Sequence, residues 1–227
     1  MTRCEHDPGH VERKWLGRIG FDEAFALQER IVREHASCGD TILLLEHEPV
    51  YTTGRLGKTE NLPDLDSSVP VRRISRGGDV TYHGPGQLVG YVLVDLRARG
   101  GDVHGFLRSL EAGVIALLAD LDVEAHRVEG RTGAWVSTSA YEEPARKIAS
   151  IGIGVRRGIS MHGFALNVSV DLGAFGKIVP CDLGDVDMTS VERETGRIAP
   201  ELIDVAELAF RHVEAALPPL ARRKGRQ

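Results

Sequence analysis

With 227 residues, 42% of them hydrophobic and 27% charged, the chain can bury one sizeable core and has the composition of an ordinary soluble globular protein. A formal net charge of -5 excludes a general nucleic-acid binder, whose footprint would be basic, and the longest apolar runs, such as residues 114–118, fall well short of the ~20 residues a membrane span needs. Cys4, Cys38 and Cys181 are odd in number and widely spaced, which fits free thiols in a reducing compartment, and residues 1–13 hold no apolar export core, so the expected location is the cytoplasm.

Residues 11–16 read as a first strand. Residues 21–35 read as a helix, with Phe21, Ala24, Phe25, Leu27, Ile31 and Val32 at helical spacing and Asp22 and Glu23 in the first turn. A short apolar strand at 41–46 leads into a loop at 47–55, and 59–70, rich in proline, aspartate and serine, reads as an exposed connection. Strands at 71–75 and 87–96 flank a glycine-rich stretch. The strongest helix is 103–121, with Phe106, Leu107, Leu110, Val114, Leu117, Leu118 and Leu121 on one face. Short strands at 123–127 and 133–137 follow, then a polar turn at 138–145 and two longer strands, 147–155 and 159–170, joined by Arg156-Arg157-Gly158. A loop at 171–190 contains Cys181, and a helix at 203–217 closes the chain. The order predicts an α+β or mixed α/β fold: one domain over 1–227, with an ordered core at about 11–217 and short flexible termini.

The stretch from Arg76 to Tyr91 reads R-G-G-D-V-T-Y-H-G-P-G-Q-L-V-G-Y and holds five glycines, Gly77, Gly78, Gly84, Gly86 and Gly90. Such a cluster is either an ordinary set of turns or the wall of a site where backbone must come close to a ligand. Arg76, Tyr82 and His83 favour a site. Neither G-x-G-x-x-G nor G-x-x-x-x-G-K-[ST] is present, and a strand rather than a helix follows, so this is no familiar nucleotide loop.

Two further residues carry chemistry. Cys181, in V-P-C-D-L-G-D, is either a small buried hydrophobe or a nucleophile. If 147–155 alternates as a strand, Lys147 shares a face with Ala149, Ile151, Ile153 and Val155, opposite Ile148, Ser150, Gly152, Gly154 and Arg156. A lysine there either snorkels to water or, desolvated, becomes a base.

The pattern R-G-G-x-x-T-[aromatic]-H-x-x-G-Q-x-x-x-Y resembles the signature of the octanoyltransferases of lipoate biosynthesis, with further matches at His47-Glu48-Pro49-Val50, Lys147-Ile148-Ala149-Ser150-Ile151-Gly152, His162-Gly163-Phe164-Ala165-Leu166-Asn167 and Pro180-Cys181. The resemblance spans roughly residues 11 to 217. It implies the catalytic fold shared by biotin and lipoate protein ligases. It also implies octanoyl transfer from octanoyl-acyl carrier protein to a lysine of lipoyl domains in 2-oxoacid dehydrogenase E2 subunits and glycine cleavage H protein. Cys181 would be the acyl-accepting nucleophile and Lys147 its proton manager. Arg76, Gly77, Gly78, Asp79, Val80, Thr81, Tyr82, His83, Ser150, Ile151, Gly152, Gly163, Phe164 and Ala165 would line the acyl pocket. Exchange of one thioester for another and then for an amide needs no ATP and no metal, so no cofactor is expected. His83 and His162 are either site residues or satisfied structural histidines. Arg72, Arg73, Arg76, Arg156 and Arg157 form local basic clusters that either steer an acidic carrier protein or are solvated strand ends.

Overall fold

The apolar run at 41–46 is buried on both faces, and this fixes the architecture. In the computed structural model, which describes residues 10–55, 57, 61, 68–137, 145–178 and 186–221, it forms strand β2, Asp40–His47. Ile42 and Leu44 point into one apolar cluster, Leu43 and Leu45 into another. A strand covered on both sides must lie inside a sheet with helices on each face.

That sheet has six strands in the order β1-β2-β6-β9-β8-β7. These are β1 (Val11–Ile19), β2, β6 (Gln87–Leu93), β9 (Ile159–Asn167), β8 (Arg146–Arg156) and β7 (Ala134–Val136). Only the β1–β2 pair is parallel. Helices α2 (Val103–Asp120) and α4 (Leu202–Ala216) cover one face, burying Phe106, Leu110, Val114, Leu117, Val205, Ala209 and Val213 against it. Helix α1 (Phe21–Cys38) covers part of the other through Ala24, Ile31 and Val32. A second sheet, β4-β3-β5, is built from β3 (Val50–Thr53), β4 (Val71–Arg73) and β5 (Val80–His83). A 3-10 turn at Leu172–Lys177 and a short helix α3 (Val191–Thr195) complete the described elements.

Strands β3 and β5 and helix α3 were not expected, and β3 and β5 run where loops were read. The expected strand at 123–127 does not form: Asp122 adopts φ 59 after α2, and only His126 bridges to Trp135. Residues 138–144 of the expected turn, most of 59–70, and Cys181 lie outside the described residues. Among the described residues, no helix is long and apolar enough to cross a membrane.

Candidate active site

Between the α1 side of the large sheet and the segment leading into β5 lies a pocket that encloses about 580 Å³ of empty space, part of it open to solvent. Arg76, Gly77, Gly78, Asp79, Val80, Thr81 and His83 form one wall, facing Ser150, Ile151, Gly152, Gly163, Phe164 and Ala165. The first half of the glycine stretch, Arg76 to His83, is therefore a wall, while Gly84, Gly86 and Gly90 lie off the cavity. Tyr82, expected in that wall, is turned away. Strand alternation sends its ring into a separate cluster with Tyr51 and Phe175, at ring-centroid distances of 5.2 and 5.7 Å. Phe21, Ile74, Val89, Tyr91, Lys147 and His162 complete the lining.

Lys147 reaches the cavity by a route that strict alternation does not give. Trp135 pairs with Lys147 but Ala134 with Ala149, so β8 carries an extra residue opposite β7. Ile148 and Ala149 consequently both enter the main core, and Lys147 joins Ser150 and Gly152 on the cavity lining rather than sharing a core face with Ala149 and Ile153. Only 6% of Lys147 is exposed, so it does not snorkel to water. Its ammonium nitrogen sits 5.1 Å from the centre of the Trp135 ring, a cation–π contact. Gly133, at φ 127, lets the chain pass over the lysine stem; a β-carbon there would lie 2.9 Å from Lys147 Cε and 2.4 Å from Ala149 O.

The backbone of Lys147 is clamped as well. Its N–H donates to Asp187 O (2.8 Å), and its carbonyl accepts from Thr189 N (2.9 Å). Asn167 Nδ2 donates to Thr189 O (2.9 Å), Gln87 Nε2 donates to Asn167 Oδ1 (2.9 Å), and His83 Nδ1 donates to Gln87 Oε1 (2.7 Å). Buried amides thus connect the lysine's neighbour strand to the histidine on the opposite wall. Arg76 is buried against Thr52, with Nη2 donating to its carbonyl (2.8 Å) and hydroxyl oxygens (3.0 Å).

Three histidines crowd this region, and their partners set their charge. His47 Nδ1 donates to Ile19 O (3.0 Å), so its Nε2 accepts from the Tyr91 hydroxyl (2.6 Å). Burial lowers His47 to about 4. Burial, aided by His47 and Arg76, lowers His83 to about 3, and burial with Arg76 lowers His162 to about 4. All three are neutral near pH 7. His162 also holds φ 63, unusual outside glycine, with its N–H donating to Gln28 Oε1 (2.9 Å) and its Nε2 buried without a hydrogen-bond partner among the described residues.

An acid-stability prediction follows with a definite sign. The unfolded chain binds protons on these residues near pH 6.5 and the folded chain only near 3 to 4, so their contribution is intact above about pH 6.5 and is lost as pH falls toward 4. The loss by pH 5 is of the order of 5 kcal/mol, enough to lower Tm by more than about 10 °C relative to pH 7. Thermal melts across this interval check it; a flat Tm contradicts neutral burial of the three rings.

Two arginines of the basic clusters, Arg72 and Arg156, form ion pairs. Arg72 makes a two-pronged pair with Asp22 (2.8 and 2.7 Å), Arg156 pairs with Glu29 (2.5 Å), and Arg76 is inside the cavity wall.

Residues 21–215 match the family described as "Lipoyl protein ligase A/B catalytic domain". The octanoyltransferase of Geotalea uraniireducens (strain Rf4) is 51% identical over 183 residues, covering 80% of this chain and 81% of that one. The chain belongs to the octanoyltransferase family. A second octanoyltransferase, from Syntrophotalea carbinolica, is 51% identical over 189 residues, covering 82% of this chain and 85% of that one. The family match over residues 21–215 takes in the glycine stretch, Lys147 and Cys181. The fold reaches beyond the octanoyltransferase family: a putative lipoate protein ligase from T. acidophilum, solved with bound lipoic acid, superposes with TM-score 0.70 at 19% identity, over 91% of this chain and 86% of that one. The expected α+β ligase-type architecture is thus the one observed.

Proposed function

We propose that this chain transfers an octanoyl group from octanoyl-acyl carrier protein to the acceptor lysine of lipoyl domains, in 2-oxoacid dehydrogenase E2 subunits and glycine cleavage H protein, within the cytoplasm. The observation that carries this reading is a buried lysine, Lys147, on the wall of a cavity whose exposed surface is mostly apolar, with glycine, alanine and aliphatic residues set among buried polar ones. Membership of the octanoyltransferase family supports the choice of acyl group.

In this reading the Cys181 thiolate attacks the carrier thioester carbonyl, forming a Cys181 acyl-thioester and expelling the carrier thiolate. Lys147 takes the thiol proton and returns it to the leaving sulfur. The acceptor amine then attacks the acyl-thioester, Lys147 accepts the amine proton, and Cys181 leaves as the amide forms. The acyl chain lies over Ser150, Gly152, Gly163 and Ala165, where small side chains leave room. Both exchanges run without ATP and without a metal.

Intact mass after incubation with octanoyl-acyl carrier protein and no ATP tests the proposal. One octanoyl adduct that disappears on adding apo-lipoyl domain supports it. The likeness to a lipoate protein ligase favours one alternative, ATP-dependent activation of free octanoate or lipoate. Acylation of the lipoyl domain only with ATP and free acid would establish that reading instead, and transfer from an acyl-lipoyl domain donor in preference to the carrier would point to an amidotransferase.

A further inference from the structure

We infer that Phe21 is the stop at the far end of the acyl cavity and sets the chain length the enzyme accepts. The inference rests on the acyl-transfer reading above, which supplies the ligand. Its structural basis is independent of Cys181.

Phe21 is only 7% exposed, yet among the described residues it joins none of the three apolar clusters. A buried phenylalanine ordinarily belongs to a core. This one faces the cavity and packs on His47 and Phe25, with ring centroids 5.4 and 6.0 Å away. It also borders a surface groove formed with Glu48, Pro49 and Val50. A single ring therefore stands between the cavity and that groove.

The sheet supplies the ruler. Lys147 lies on β8 and His47, beneath Phe21, on β2, with β9 and β6 between them. Three steps of about 4.8 Å separate these strands by about 14 Å. Leu45 is opposite Val89, Gln87 opposite Asn167 and Leu166 opposite Ala149, so His47 and the start of β8 occupy the same end of the sheet. The cavity therefore runs across the strands from Lys147 to Phe21. An octanoyl chain, with seven carbon–carbon bonds of about 1.5 Å, is shorter than about 11 Å. With its carbonyl held beside Lys147, its methyl end falls about 3 Å or more short of β2, and the gap is the width of the Phe21 ring stacked over His47. Four more carbons would have to enter the space that ring fills.

The test compares kcat/KM for hexanoyl-, octanoyl- and dodecanoyl-acyl carrier protein in the full chain and in Phe21→Ala, Phe21→Leu and Phe21→Trp. Removing the ring should raise the dodecanoyl-to-octanoyl ratio at least about tenfold in Phe21→Ala and less in Phe21→Leu, and Phe21→Trp should move the preference toward hexanoyl. If Phe21→Ala does not fold, the opposite shifts of the leucine and tryptophan variants decide. An unchanged ratio in folded variants overturns the role of Phe21. Failure of the unmodified chain to transfer octanoyl at all overturns instead the reading on which the inference rests.

Discussion

Replacing Cys181 by alanine is expected to remove both the octanoyl adduct and turnover, lowering kcat by at least about a thousandfold while leaving Tm unchanged within a few degrees. The size follows from the chemistry: a nucleophile that forms the covalent intermediate has no substitute, and removing it loses the whole intermediate rather than one contact. A thiol with the free-cysteine pKa of ~8.5 is mostly protonated near neutrality, so it also needs a partner for its proton. Cys38 is the internal control. It is the last residue of α1 and not on the cavity wall, so Cys38→Ala should keep the adduct. Intact mass and steady-state transfer to apo-lipoyl domain are the two readouts. Turnover by Cys181→Ala with ATP and free octanoate would transfer the chain to the ligase chemistry of its structural relatives.

How far such a site can be read from sequence depends on what each residue's type reveals. The glycine stretch was legible as a wall only in its first half: Gly77 and Gly78 line the cavity with Arg76 and His83, whereas Gly86 and Gly90 make room for close packing against Ser169 and Phe164. Strands β2 and β6 were legible because burial on both faces writes a mostly apolar run, Ile42 to Leu45 in the first and Leu88 to Leu93 around Gly90 in the second. Strands β3 and β5 were not. Each is four residues long and pairs chiefly through tertiary contact, and Pro49 and the surrounding glycines obscured Val50-Tyr-Thr-Thr and Val80-Thr-Tyr-His. Phe21 and Val89 were missed because each looks like an ordinary member of an amphipathic helix or a buried strand. The bulge at Lys147 has no local signature at all. It arises where β7 meets β8, so period-two alternation gave the lysine's burial but assigned it the wrong face.

That bulge gives the second large effect its meaning. Lys147→Met, close in length and without charge, is expected to lower kcat by about 10²- to 10⁴-fold with KM for the carrier changed only a few-fold, because a group that moves a proton acts in the transition state and not in binding. Methionine fits the apolar stem path beneath Gly133 and Trp135, so folding should survive. Lys147→Arg separates two roles for the nitrogen. A guanidinium keeps positive charge but cannot give up its proton. If arginine restores more than about a tenth of the activity, Lys147 serves as a fixed cation beside the thiolate. If arginine is as impaired as methionine, the proton itself is what Lys147 supplies.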